Sequence, residues 1–209
     1  MHERDPDRPV TVVNRFQVKG DIAEFEGEFR DHSQFLRGQE DFDFSLTVGL
    51  VDDPRVYVRL GYWRTLRGFL DVVRHDAFVE HVRRIGPKVV TEADQAVSVR
   101  RHVREASTAG SSSVVLLSAE VYGDCVELER RFAELSARCD EADGFGGSDL
   151  LRSAVRPFTY TGVLWWRDAG HCDRAEATDG YRAALDAQRE VAWVTTERSR
   201  HVAFERAIC

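Results

Sequence analysis

No stretch of this chain approaches the ~18 consecutive apolar residues that a membrane-spanning helix needs. The opening "MHERDPDRP" lacks the apolar centre of a secretory signal. No membrane partner and no export are therefore expected, the chain reads as cytoplasmic, and residues 1–9 read as a disordered polar tail. Lysine is almost missing: Lys19 and Lys88 are the only two among 29 basic residues. Against 36 acidic residues the formal charge is −7, and with no basic stripe this excludes nucleic acid as an expected partner. The four cysteines, Cys125, Cys139, Cys172 and Cys209, all lie in the second half. None forms a CxxC pair or zinc-like spacing with histidine, so they read as reduced thiols. The "GFGG" at 144–147 sits in a strand-like stretch and does not match the dinucleotide fingerprint G-x-G-x-x-G. No carboxylate-rich metal cluster and no Ser-His-Asp pattern stands out.

What is present is a repeat. Sliding the 209-residue chain against itself by 103 positions aligns its halves without a gap. Val12 falls on Val115, Gly20 on Gly123, Asp21 on Asp124, Glu24 on Glu127 and Phe29 on Phe132. Ser45 falls on Ser148, Pro54 on Pro157, Tyr57 on Tyr160 and Trp63 on Trp166. The matches fall on turn, cap and aromatic positions in unbroken register. Each half reads strand, helix, strand, strand, helix, strand. Asp21 with Glu24, and Asp124 with Glu127, have the D-x-x-E spacing of a capping box. Ile22, Phe25, Phe29 and Leu36 then recur on one helical face. A broken helical segment follows at 66–85, with Phe78, Val82 and Ile85 predicted inward. "AVSVRRHV" closes the first unit as its fourth strand. The expected organisation is a first repeat at 10–104, a small polar linker at 105–112 and a second repeat at 113–209. A βαββαβ unit is ferredoxin-like, with helices on one sheet face only. Two fused units are expected to pair their open faces into an α+β barrel, an intramolecular pseudo-dimer.

The segments "VVNRFQVKGD", "VYVRLGYWRT" and "HDAFVEHV" in the first half resemble the antibiotic biosynthesis monooxygenase family of dimeric α/β barrels. The second half resembles it through "YTGVLWWRD" and "TDGYRAAL". The resemblance implies an oxygenase of aromatic polyketide biosynthesis. It would oxidise an anthrone-like polycycle with O2 and without metal or prosthetic group, as a monomer or homodimer. The same family also implies haem-degrading enzymes that use Asn, Trp and His, tandem ring-cleaving enzymes that need reduced flavin, and polyketide cyclases. A non-catalytic accessory protein is a further alternative on this barrel. The haem pattern wants a histidine one position after His81, where Val82 stands.

Candidate site residues come from asymmetry between the halves. Asn14 lies on the strand face of Val12, Phe16 and Val18, and its counterpart is Leu117. Either it is a satisfied core amide or it faces a pocket. His32 lies on the apolar stripe of the first helix, and its counterpart is Leu135. His81 lies one turn after Phe78, and its counterpart is Ala184. Arg59 shares a strand face with Tyr57 and Trp63, and its counterpart is Gly162. Asn14, His32 and His81 thus point into one helix–sheet gap, and all three are apolar in the second half. Arg59 either faces a pocket, where it would hold a phenolate or carboxylate, or is solvated or ion-paired. In the family's chemistry His81, and after it His32, would remove the acidic C–H proton. Asn14 or Arg59 would stabilise the enolate oxygen, and Trp63, Tyr57, Phe16 and Phe78 would wall the polycycle.

Overall fold

A computed structural model describes residues 5–104 and 112–207. In the first half the elements are β1 (Val10–Val18), α1 (Ile22–Arg37), β2 (Phe42–Leu50), β3 (Val56–Trp63), α2 (Leu66–Val73), α3 (Asp76–Ile85) and β4 (Val89–Val103). The second half repeats them as β5 (Ser113–Val121), α4 (Cys125–Asp140), β6 (Phe145–Ser153), β7 (Thr159–Trp166), α5 (Ala169–Glu176), α6 (Asp179–Arg189) and β8 (Ala192–Arg206). The eight strands are hydrogen-bonded in the closed order β1-β3-β2-β8-β5-β7-β6-β4. The α+β barrel expected from the repeat is the fold. Among the described residues no helix is long and apolar enough to cross a membrane.

The chain forms two compact units, and their limits differ from those of the sequence repeats. The first unit takes 1–95 and 202–209, the second 96–201. The physical reason is strand length. β4 and β8 have 15 residues each, where the other strands have 8 or 9. At ~3.3 Å per residue such a strand outruns its neighbours and has length left to pair elsewhere. β4 enters beside β1, where Lys19 N–H bonds the Lys88 carbonyl at 2.8 Å, and continues beside β6 from Ala96 to Val103. β8 pairs with β5 up to Arg200, and its far end bonds β2 through Ala207 N–H and the Asp43 carbonyl at 2.9 Å.

Residues 5–9 are not the free tail expected of them. The Pro6 and Arg8 carbonyls accept from the N–H groups of Arg67 and Leu66, each at 2.8 Å. These are among the donors that every helix start leaves without an intrahelical acceptor. Residues 1–4 and 105–111, and with them nearly all of the expected linker, lie outside the described residues.

Both capping boxes are half made. Asp21 accepts from Glu24 N–H at 2.8 Å, and Asp124 accepts from Val126 N–H at 2.9 Å. Glu24 instead pairs with Lys88 at 2.9 Å, and Glu127 with Arg130 and Arg131. A nearby cation outcompetes a backbone N–H for the carboxylate. Val82, expected inward, is 47% exposed, while Ile85 is buried.

The second unit has one continuous core, running through Leu117, Phe132, Leu135, Leu150, Leu164 and Trp166. The first unit's equivalent core is two clusters. One holds Phe16, Val18, Phe25, Phe29 and Tyr57, and the other holds Val10, Val12, Leu36, Phe42 and Trp63.

Gly147, at the bulge in β6, has φ +148. A Cβ there would stand 2.5 Å from the His102 carbonyl oxygen and closer still to the Trp165 indole. Gly147→Ala is expected to cost about 2–4 kcal/mol through overpacking and backbone strain, measured as a fall in the urea midpoint with unchanged slope.

Candidate functional site

The gap between the two clusters of the first unit is polar. Directly across β1, β3 and β2 lie Asn14, Arg59 and Thr47, paired Asn14 with Arg59 and Thr47 with Arg59. Residues opposite one another share a sheet face. The same row in the second unit is Leu117, Gly162 and Leu150. There Phe132 closes over the glycine, so that a Cβ on Gly162 would stand 2.7 Å from the ring. In the first unit the matching ring, Phe29, lies 5.4 Å from the Arg59 guanidinium carbon.

Arg59 is 2% exposed. Its Nη2 donates to Ser45 Oγ at 3.3 Å and stands 3.8 Å from Glu205 Oε2. Ser45 Oγ in turn donates to Glu205 Oε2 at 2.9 Å. Burial pulls the guanidinium down to about 10, and Glu205 acts in the opposite sense. Arg59 is therefore still a cation at neutral pH, held in a site that strengthens its field. Its Nε has no hydrogen-bond partner among the described residues, and neither do the buried Thr47 Oγ1, Ser33 Oγ and His32 Nδ1. Four such orphan atoms in one layer are unusual, because buried polar side-chain atoms ordinarily have partners.

α1 and α3 cover this row. His32 projects from α1 and is 8% exposed. Its ring lies 5.3 Å from Phe78 and 5.5 Å from His81, both on α3. Burial, and then the charge on Arg59, push its pKa down to about 3. It is a neutral imidazole throughout the physiological range. His81 is half-buried, with Phe35 5.1 Å away. Its Nδ1 lies 2.7 Å from an Arg84 guanidinium nitrogen. Arg84 can only donate, so Nδ1 accepts and the neutral ring carries its proton on Nε2. Burial and the Arg84 charge lower the pKa of His81 as well. In this arrangement the Nδ1 lone pair of His81 is taken by Arg84 and the ring offers Nε2–H as a donor.

Asn14 is half-buried, and its side chain makes no hydrogen bond among the described residues. The remaining sequence candidates fall into the flanking clusters. Phe16 packs on Phe25 and Phe29. Tyr57 packs at a tilt on Phe25 and donates its hydroxyl hydrogen to Glu26 at 2.7 Å. Trp63, four residues from Arg59 along β3, packs on Phe42 and Phe69. Of the aromatics named in the sequence, Phe78 is the one in ring contact with the histidines. Sequence reasoning missed Thr47, Ser33, Ser45, Arg84 and Glu205. The 103-residue offset would have shown Thr47, which replaces Leu150. Glu205 gave no such signal, because it arrives on the far end of a strand that leaves one unit for the other.

Chemically the layer combines a buried arginine paired with Glu205, neutral hydrogen-bonding groups and apolar walls. The Nε of that arginine, unpartnered among the described residues, leaves it a donor for an anion with delocalised charge. Among the described residues no group of three or more His, Cys, Asp or Glu is placed to hold a metal ion.

No family model matches the chain, and no curated protein matches it. Solved structures do. An anthrone oxidase-like protein shares 12% identity at a TM-score of 0.73, over 96% of this chain and 94% of that one. A proposed monooxygenase from Fusobacterium nucleatum shares 8% at a TM-score of 0.78, over 95% and 94%. Another, from Lactobacillus acidophilus, shares 6% at 0.68, over 95% and 96%. The chain has the fold of these proteins across nearly its whole length.

Proposed function

We propose that this chain is an oxygenase that converts an anthrone-like aromatic polycycle to a quinone with O2, and that the polar layer of the first unit is its active site. The observation that carries this reading is the row Asn14–Arg59–Thr47, set under two neutral imidazoles where the second unit has hydrocarbon and glycine. A scaffold that packs well with Leu117, Gly162 and Leu150 has no structural need for a buried arginine.

An anthrone loses a C–H proton to give an enolate whose charge spreads over the rings. The enolate gives one electron to O2, the two radicals combine, and the hydroperoxide loses water. One O2 is consumed, one oxygen atom enters the product and one leaves as water. The residues supply the first step. Arg59 and the Nε2–H of His81 stabilise the enolate oxygen, and Asn14 adds an amide donor. His32 Nδ1, which has no hydrogen-bond partner among the described residues, receives the proton in the tautomer that carries N–H on Nε2. Its low pKa makes it a weak base, so the rate depends on how far the cation lowers the acidity barrier of the substrate. Phe78 and Phe35 offer faces to the rings. The fold shared with an anthrone oxidase-like protein and with proposed monooxygenases supports the reading.

The test is aerobic turnover of an anthrone, followed by quinone absorbance and by oxygen uptake. Asn14→Leu, which installs the residue of the second unit, is expected to lower kcat/KM about 100-fold. Unchanged rates for Asn14→Leu and His81→Ala together would overturn the assignment. The pH profile is a separate check. Because His32 is already unprotonated, kcat/KM should stay level from pH 8 to pH 5, without the acid limb that an ordinary histidine base imposes near ~6.5.

A further inference from the structure

We propose that the second unit carries a ligand site of its own, a cleft between α4 and the β4–β6 pair that takes a small aromatic carboxylate. The cleft has a volume of about 270 Å³, just under the ~300 Å³ at which drug-sized pockets begin. Its apolar wall is Phe132, Ala133 and Ala137. Its polar wall is Ser136, Ser148, Arg100, Arg101, His102 and Asp140, whose carboxylate is occupied by His102 and faces Arg104.

The first unit shows what belongs there. Ser148 corresponds to Ser45, Ser136 to Ser33 and His102 to Glu205. In the first unit the Glu205 carboxylate sits on the Ser45 hydroxyl at 2.9 Å. In the second unit the residue at that strand position is His102, directly opposite Ser148, so no carboxylate replaces Glu205 at the Ser148 hydroxyl, whose partner is Ser136. His102 is drawn aside: its Nε2 lies 3.1 Å from Asp140 Oδ1. Arg104, 3.9 Å from the same oxygen, holds that carboxylate in place.

The space left has unspent hydrogen-bonding capacity. Ser136 and Ser148 bond each other at 2.7 Å. Two hydroxyls carry two protons, and one bond between them uses one, so the other O–H is available to an acceptor in the cleft. The Arg100 side chain makes no ion pair or hydrogen bond among the described residues. A cation, a spare hydroxyl donor and a phenyl wall match a carboxylate on one aromatic ring. The carboxylate would take up toward Ser148 the place that Glu205 takes toward Ser45. This site is independent of the polar layer proposed as the active site.

The test is calorimetric titration of the full chain with benzoate and with benzamide, its neutral isostere. Benzoate should bind saturably and at least ten times more tightly than benzamide. Arg100→Gln should weaken benzoate at least ten-fold. Ala133→Trp, on the exposed side of α4, should fill the cleft and remove binding. The doubly substituted Arg59→Met/Glu205→Gln protein should bind benzoate as the wild type does. No saturable binding, or equal binding of benzamide, overturns the proposal. So does binding that survives Ala133→Trp but is lost in the Arg59→Met/Glu205→Gln protein, which would place the ligand in the first unit.

Discussion

Arg59→Met is expected to abolish anthrone turnover and also to destabilise the fold, for two separable reasons. On the proposed function the activity loss follows from removing the buried cation that would face the developing charge, and should reach about 1000-fold in kcat/KM, equivalent to ~4 kcal/mol of transition-state stabilisation. The stability loss comes from Glu205, whose side chain is 11% exposed and would keep Ser45 as its one partner in this network. Stripping one member from a buried ion pair costs about 3–5 kcal/mol, because the other charge stays buried. Arg59→Met/Glu205→Gln removes both charges and should recover most of the stability while staying inactive. Urea denaturation beside a turnover assay on the two proteins separates the effects. An active Arg59→Met protein would mean that the cation serves packing alone.

The second large effect concerns acid stability. His32 titrates near its ordinary 6.5 when unfolded and at about 3 when folded. Between those values the unfolded chain binds the proton that the folded chain refuses, so stability rises with pH across this window. Above 6.5 the group is neutral in both states and contributes no pH dependence. At pH 5 the difference is about 1.5 pH units, or roughly 2 kcal/mol of lost stability. The cause is burial first, then the positive charges of Arg59 on β3 and Arg84 on α3, with His81 beside them. His32→Leu, which copies Leu135 of the second unit, should erase this slope. The stability difference between variant and wild type should therefore widen by about 2 kcal/mol in favour of the variant from pH 7 to pH 5. Parallel urea titrations at the two pH values measure it. An unchanged difference would show that His32 is solvated.

The order of elements and the doubling of the chain were legible in the sequence, because turn prolines, cap aspartates and paired aromatics recur at one offset. The same offset showed that Asn14, Arg59, His32 and His81 differ in kind from Leu117, Gly162, Leu135 and Ala184. That Arg59 sits between Asn14 and Thr47 on one row was not legible, since it depends on strand register and not on spacing along the chain. Glu205 was hidden by the crossing of β8 between units. The aromatics Phe16, Tyr57 and Trp63 looked like pocket walls but pack into the apolar clusters on either side, where their area is best buried. The role of His81 turned on Arg84, one turn further along α3. A side-chain pair three residues apart decides the tautomer, and no pattern in the sequence states which way the proton lies.

On the proposed function the first unit has a built-in preference for an anion, set by the buried Arg59. The most direct test of that preference is a spectrophotometric titration of a hydroxyanthraquinone, whose colour reports its ionisation, free and bound to the protein. Bound to the wild type, the dye should ionise at least ~1 pH unit lower than in solution, and bound to Arg59→Met/Glu205→Gln it should show no such shift. Ionisation at or above the solution value in the wild type, or a lowered value that persists in the double variant, would contradict the account.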